Sequence, residues 1–161
     1  MRTPPVRGSH ATAGWTLVEL LVSIIVLTIL VSIAVPSYTN QVRKSRRTEA
    51  KSALLDLASR QERFMSTNSA YTNDAMKLGY NSSSATLFQY SVGSNYYQVN
   101  VCVGAAIPTA CSAAQATTTG ATYLLVAVPI NSQATDTYCG SYTLDNTGVQ
   151  GNTGTQTSGC W

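Results

Sequence analysis

Apolar residues are distributed unevenly along this chain. Sixteen consecutive positions from Leu20 to Val35 (LLVSIIVLTILVSIAV) carry no charge, and the apolar run reaches back to Trp15 with Glu19 as its one ionisable member. The stretch from Trp15 to Val35 makes about 31 Å of α-helix, close to the thickness of a bilayer's hydrocarbon core. Beyond Pro36 the pattern becomes a stripe. Ala50, Ala53, Leu54, Leu57, Gln61, Phe64 and Met65 recur at three- and four-residue steps, the signature of one helix face laid on a core. Arg46, Glu49, Asp56, Arg60 and Arg63 are expected on the opposite face, where Asp56 and Arg60 form a supporting i,i+4 pair. The two patterns predict a single helix of about fifty residues, from Trp15 to about Ser66, bent at Pro36.

The period then shortens. Phe88–Val92, Tyr96–Val103, Tyr123–Val128 and Ser141–Leu144 have strand character, and a last strand is expected near Val149. In the second run Tyr97, Val99, Val101 and Val103 share one side, whereas the third is nearly continuous and apolar, as a central strand would be. Asp145-Asn146-Thr147-Gly148 is turn chemistry. Asn68 to Tyr80 reads as a loop with a short helical turn, and Ser112–Thr122 (SAAQATTTGAT) as an exposed low-complexity loop. The expected fold class is α+β: a long N-terminal helix packed on a small antiparallel sheet.

Composition sharpens this picture. The 161 residues suffice for one ordinary domain, and the formal charge is +3 with only 11% charged residues. Seven of the ten basic residues lie between 43 and 63: Arg43, Lys44, Arg46, Arg47, Lys51, Arg60 and Arg63. From Phe64 onward Lys77 stands against Asp74, Asp136 and Asp145. A disordered charged tail is excluded by the small net charge and nine tyrosines, and a polytopic membrane protein by the lack of a second long apolar run. The basic group Arg43 to Lys51 reads as a solvated or headgroup-contacting collar, with a phosphate-binding surface for DNA as the sharper alternative.

The four cysteines, Cys102, Cys111, Cys139 and Cys160, contain no C-x-x-C pair, and the one histidine is His10. That makes zinc a poor reading, and no metal or cofactor is expected. Two disulfides fit better. Three pairings are possible; Cys102–Cys111, closing a loop off a strand, and Cys139–Cys160, closing the C-terminal region, are favoured. Asp136 and Asp145 sit near turns with no visible partner and are read as turn formers, so no enzymatic activity is expected.

The N-terminal run admits a signal peptide, but Val35-Pro36-Ser37 is a poor cleavage site. A plain membrane anchor accommodates the length but not Glu19, whose carboxylate costs a few kcal/mol inside a membrane unless it reaches the headgroups or a partner. Gly14-Trp15-Thr16-Leu17-Val18-Glu19, followed by the apolar helix and Pro36, resembles the N-terminus of type IV pilins. The resemblance implies cleavage by a prepilin peptidase after Gly14, methylation of the new N-terminus at Trp15, and an assembly role for Glu19 and the helix-kinking Pro36. Trp15 departs from the usual phenylalanine, and the fourteen-residue leader is long. Arg60 to Met65 with Tyr71-Thr72 and Leu78-Gly79-Tyr80, and Tyr138 to Gly148 with the closing Cys160-Trp161, resemble PilE-type minor pilins and the related ComP-type DNA-uptake pilins.

The resemblance implies a leader over 1–14, a transmembrane or fibre-core half-helix over 15–42, an amphipathic half over 43–66 and a disulfide-bonded head over 67–161. It implies a precursor held in the inner membrane and then assembled with other pilin subunits into an extracellular filament serving adhesion or twitching motility. A minor pilin is the preferred reading, with a DNA-uptake pilin and a major pilin as alternatives. Basic residues flank the span on both sides, and charge counting alone would place the C-terminus inside; four cysteines in the head argue for an oxidising compartment instead. DNA is a possible partner but not favoured, because the head is slightly acidic. Asn81-Ser82-Ser83 matches a glycosylation sequon, a weak signal in so Asn- and Ser-rich a chain.

Overall fold

The computed structural model describes residues 14–80, 89–93, 95–107, 111, 118–156 and 158–161. Residues 1–13 of the expected leader, Phe88, the sequon and most of the low-complexity segment fall outside these residues. Among the described residues there is one long helix, α1 (Leu17–Asn68), and there are seven strands: β1 (Tyr71–Thr72), β2 (Gln89–Val92), β3 (Tyr97–Gly104), β4 (Thr119–Gly120), β5 (Thr122–Pro129), β6 (Tyr142–Asp145) and β7 (Gln150–Asn152). The chain divides into two compact units, Met1–Asn40 and Gln41–Trp161.

In the first unit α1 is helical through Pro36. Every large apolar side chain from Leu17 to Val35 is exposed. The helix ends at Asn68, where Ser69 takes a left-handed conformation (φ 55°) and its N–H donates to the Met65 carbonyl at 2.9 Å. Such a cap is more often glycine, which has no Cβ to strain.

The second unit carries the core. Ala50, Leu54, Leu57 and Gln61 are the buried positions of α1, with Ala53, Phe64 and Met65 packed partly against them. The predicted stripe is therefore the buried face. It belongs to one core with the antiparallel sheet β2-β3-β5-β6-β7. Strand β3 pairs with β5 over eight residues, from Tyr97 opposite Pro129 to Gly104 opposite Thr122. Tyr97, Val99, Val101 and Val103 are all buried, and so are Leu125 and Ala127 on β5.

Two short elements depart from expectation. Thr119–Gly120, inside the segment read as an exposed loop, forms β4 and pairs with β1, which lies in the stretch read as loop and turn. Gly120 permits this: a Cβ there would collide with the backbone of Gly104. Sequence period cannot reveal a two-residue ladder. The disulfides are Cys102–Cys111, nine residues apart, and Cys139–Cys160, twenty-one apart, and the second ties the segment just before β6 to the C-terminal segment.

Candidate functional site

The exposed apolar helix begins with a defined cap. Thr16 Oγ1 accepts the Glu19 N–H at 3.2 Å, and the Thr16 carbonyl accepts the Leu20 N–H at 3.2 Å. Threonine followed three residues later by glutamate is the capping-box spacing. That signal was present in the sequence, and it bears directly on Glu19, which lies in the first turn where the helix dipole favours an anion. Gly14 and Trp15 precede the helix. Trp15 is 68% exposed, and a Cβ at Gly14 would meet no atom within 4 Å.

Hydroxyls inside the run are satisfied locally. Ser23 donates to the Glu19 carbonyl, Thr28 to Ile24, Ser32 to Ile29 and Thr39 to Pro36, all between 2.7 and 3.0 Å. A segment bound for hydrocarbon must satisfy its own polar groups in this way. The Glu19 carboxylate has no hydrogen-bond or ion-pair partner among the described residues.

The basic collar is reassigned in part by the fold. Arg47 is not solvated: its Nε donates to Asp136 Oδ2 at 2.7 Å and its Nη2 to Oδ1 at 2.6 Å, with side-chain exposures of 16% and 2%. Asp136 therefore has a partner eighty-nine residues away, contrary to its reading as a turn former alone. Gln133 Nε2 also donates to Asp136 Oδ2 at 2.8 Å and to Tyr97 OH at 3.3 Å. Burial alone would raise the Asp136 pKa. The Arg47 guanidinium, helped by the Cys139 and Tyr138 backbone N–H groups, outweighs burial and holds it below the ordinary carboxylate value. Arg47 is correspondingly raised, mainly by its hydrogen bonds to Asp136.

Arg46, expected on the outer face, lies 3.5 Å over the Tyr96 ring and donates to Ser132 Oγ at 3.2 Å. Lys51 Nζ donates to the Cys160 carbonyl at 3.0 Å, fastening the C-terminal segment to α1. Trp161 follows, its indole N–H donating to the Gly151 carbonyl at 2.7 Å and its ring edge-on to Tyr142. Arg60 pairs with Asp56 at 2.8 Å as expected, and it also donates to the Leu78 carbonyl at 3.0 Å. The side chains of Arg43, Lys44 and Arg63 make no hydrogen bond or ion pair with any described residue.

Farther along α1, the buried Gln61 acts as a short strand mimic. Its Nε2 donates to the Thr72 carbonyl at 2.6 Å, and its Oε1 accepts the Thr72 N–H at 3.2 Å. Glu62 accepts Tyr71 OH at 3.1 Å and Tyr123 OH at 3.5 Å. Burial first, and the Glu62 carboxylate second, raise both tyrosine pKa values. Asp145 does form a turn, accepting the Thr147 and Val149 N–H groups at 2.8 and 3.0 Å.

Comparison with known proteins places this geometry. Residues 36–143 match the family described as type IV minor pilin ComP, DNA uptake sequence receptor. The chain is 29% identical over 86 residues to the type IV major pilin protein PilA of Myxococcus xanthus, a match covering 53% of this chain and 39% of that protein. The chain thus spans well under half the length of that relative. A solved type IV pilin from Shewanella oneidensis is 27% identical, covering 74% of this chain and 97% of the other, with a TM-score of 0.44.

Proposed function

The chain belongs to the ComP family of type IV minor pilins, and we propose that it is a structural, minor subunit of the pilus that is cleaved between Gly14 and Trp15 by a prepilin peptidase and methylated on the new Trp15 amine. In this reading residues 1–14 are the leader, 15–42 the membrane and later fibre-core half of the helix, 43–66 its amphipathic half and 67–161 the head. The precursor resides in the inner membrane and the mature subunit in the extracellular filament. Its role there is structural, with no catalytic step.

One observation carries the reading. The exposed apolar run bonds its Ser23, Thr28 and Ser32 hydroxyls to its own backbone, whereas the Glu19 carboxylate has no hydrogen-bond or ion-pair partner among the described residues. A buried carboxylate without a partner costs several kcal/mol, so transfer from lipid to fibre favours the register in which it meets a cation. The amine created at Trp15 of a neighbouring subunit is that cation, and Glu19 acts as the key for assembly. Pro36 removes one backbone donor from the helix and loosens it where the span ends. The test is Glu19→Ala in cells. The variant is expected at normal level in the membrane and absent from sheared filaments; normal incorporation would overturn the role. Mass spectrometry of the mature chain checks the processing, and an N-terminus other than methylated Trp15 refutes it.

A second reading, DNA uptake, is supported by the family's description. Arg46, Arg47, Lys51 and Arg60 are occupied within the chain, which leaves Arg43, Lys44, Arg63 and the weakly paired Lys77 for phosphates. Few phosphate contacts mean a shallow salt dependence and weak binding. Gel-shift of the purified protein at several salt concentrations decides the matter. Tight, sequence-selective retardation would favour the DNA reading over a purely structural one.

A further inference from the structure

The apolar run of the first unit has an aromatic residue at each end. Trp15 stands just before the first turn of α1, and Tyr38 stands just past Val35, where the continuous apolar run stops. Both belong to the unit Met1–Asn40, and both are exposed, at 68% and 71%. Neither the Trp15 indole N–H nor the Tyr38 hydroxyl has a hydrogen-bond partner among the described residues. The groups between them behave differently. Ser23, Thr28 and Ser32 give their hydroxyls to backbone carbonyls about one turn back. Trp161, far from the run, gives its indole N–H to the Gly151 carbonyl. Hydroxyls are thus closed off where hydrocarbon would surround them, and the aromatic polar groups at the two ends are left open to an outside partner.

The spacing identifies that partner. Tyr38 follows Trp15 by twenty-three positions, about 34 Å along a helix. A bilayer's hydrocarbon is about 30 Å thick, and its interfacial layers bring the total to about 40–45 Å. A tilt of about 20° shortens the helix span to about 32 Å and still leaves both rings in those layers. A ring with one polar edge fits there, its body against acyl chains and its N–H or O–H among headgroups and water. With Trp15 at one surface, the Gly14–Trp15 bond lies at that surface too. Glu19 is then about one turn farther in, within reach of headgroup water, which lessens the cost of its charge.

We propose that Trp15 and Tyr38 are paired interfacial anchors, one ring seated at the headgroup–acyl boundary of each leaflet, and that they fix the depth of the apolar helix so that the Gly14–Trp15 bond is held at the membrane surface. The proposal rests on the reading of a membrane-held precursor and adds where in the bilayer its helix stops.

Depth-resolved quenching of the full-length chain tests it. The protein is reconstituted in phosphatidylcholine vesicles whose acyl chains carry bromine either near the headgroups or near the bilayer centre. Trp15 is read as the difference between the wild type and Trp15→Phe, which retains Trp161. Above that same background, Trp15→Phe with Tyr38→Trp reads the other anchor, and Trp15→Phe with Leu27→Trp, an exposed position in mid-run, reads the centre. Shallow bromines are expected to quench positions 15 and 38 at least twofold more than deep ones, with the order reversed at position 27. The same pattern is expected in a bilayer whose hydrocarbon is about 33 Å thick. There a helix held only by Leu17 to Val35, about 28 Å long, would bury its ends. Deep bromines quenching position 15 or 38 as strongly as shallow ones in either bilayer, or neither quenching it, overturns the anchors, while a deep signal at position 27 leaves the membrane reading intact. A position 27 quenched by neither bromine means that the helix does not enter the bilayer, which sinks the membrane reading and the anchors with it.

Discussion

The buried pair between Arg47 and Asp136 is the contact whose removal should be felt most. Asp136→Ala deletes an acceptor of two guanidinium hydrogen bonds at 2.6 and 2.7 Å and one from Gln133 at 2.8 Å. It leaves the Arg47 charge facing Tyr97 and Tyr142, beneath the sheet. Removing one partner of a fully buried pair costs about 3–5 kcal/mol. Arg47 keeps 16% of its side-chain surface and can draw in water, so the low end, about 3 kcal/mol, is expected. Urea unfolding of a soluble fragment beginning at Gln41 measures it. At a slope of about 2 kcal/mol per molar, the midpoint should fall by about 1.5 M. Replacing both partners, Arg47→Met with Asp136→Leu, should recover most of the loss, because no charge is then left without a counter-ion. A cost for Asp136→Ala below about 1 kcal/mol, or a double variant as poor as the sum of the single ones, would refute the reasoning.

The pH dependence of the same pair has a definite sign. The Asp136 pKa is lowered in the folded protein, so its contribution is present above the unfolded value and is lost as pH falls through the folded one. Wild-type stability should therefore drop below about pH 4, and Asp136→Asn should flatten that slope. Gln61→Leu strands the Thr72 N–H and carbonyl and should cost about 2–4 kcal/mol in the same urea assay; a neutral effect would mean that water replaces the clamp. Gly154→Ala would push a Cβ into the Tyr138 carbonyl and the Cys139 backbone and should destabilise by about 1–3 kcal/mol on thermal unfolding. Cys139→Ser with Cys160→Ser opens a loop of twenty-one residues and should cost about 3 kcal/mol by loop-closure entropy, read as a lower urea midpoint.

Much of the fold was legible because it repeats with a period. Residues 50 to 65 kept a helical stripe, and the structure buries Ala50, Leu54, Leu57 and Gln61 of it. The alternation at Tyr97, Val99, Val101 and Val103 marked β3, and the continuous apolar run marked β5 at the centre of the sheet. The paired strands β1 and β4 were invisible, because two residues cannot establish a period. The Thr16 cap on Glu19 was readable from its spacing alone, as a capping box, and adds a local reason for the placement of that carboxylate.

The collar marks the limit of what order along the chain can say. By itself the sequence determined a long apolar helix start, an amphipathic continuation, a cysteine-bearing β-rich head and the positions of all ten basic residues. It could not determine which cations remain available to partners. Arg43, Lys44, Arg46 and Arg47 are chemically alike and adjacent, and neither composition nor spacing separates them. The tertiary structure separated them by rotation about the helix axis: Arg46 reaches Tyr96 and Arg47 reaches Asp136, with no such contact to Arg43 or Lys44 among the described residues. An ion pair across eighty-nine residues leaves no local trace, because its geometry is set by where the sheet meets the helix.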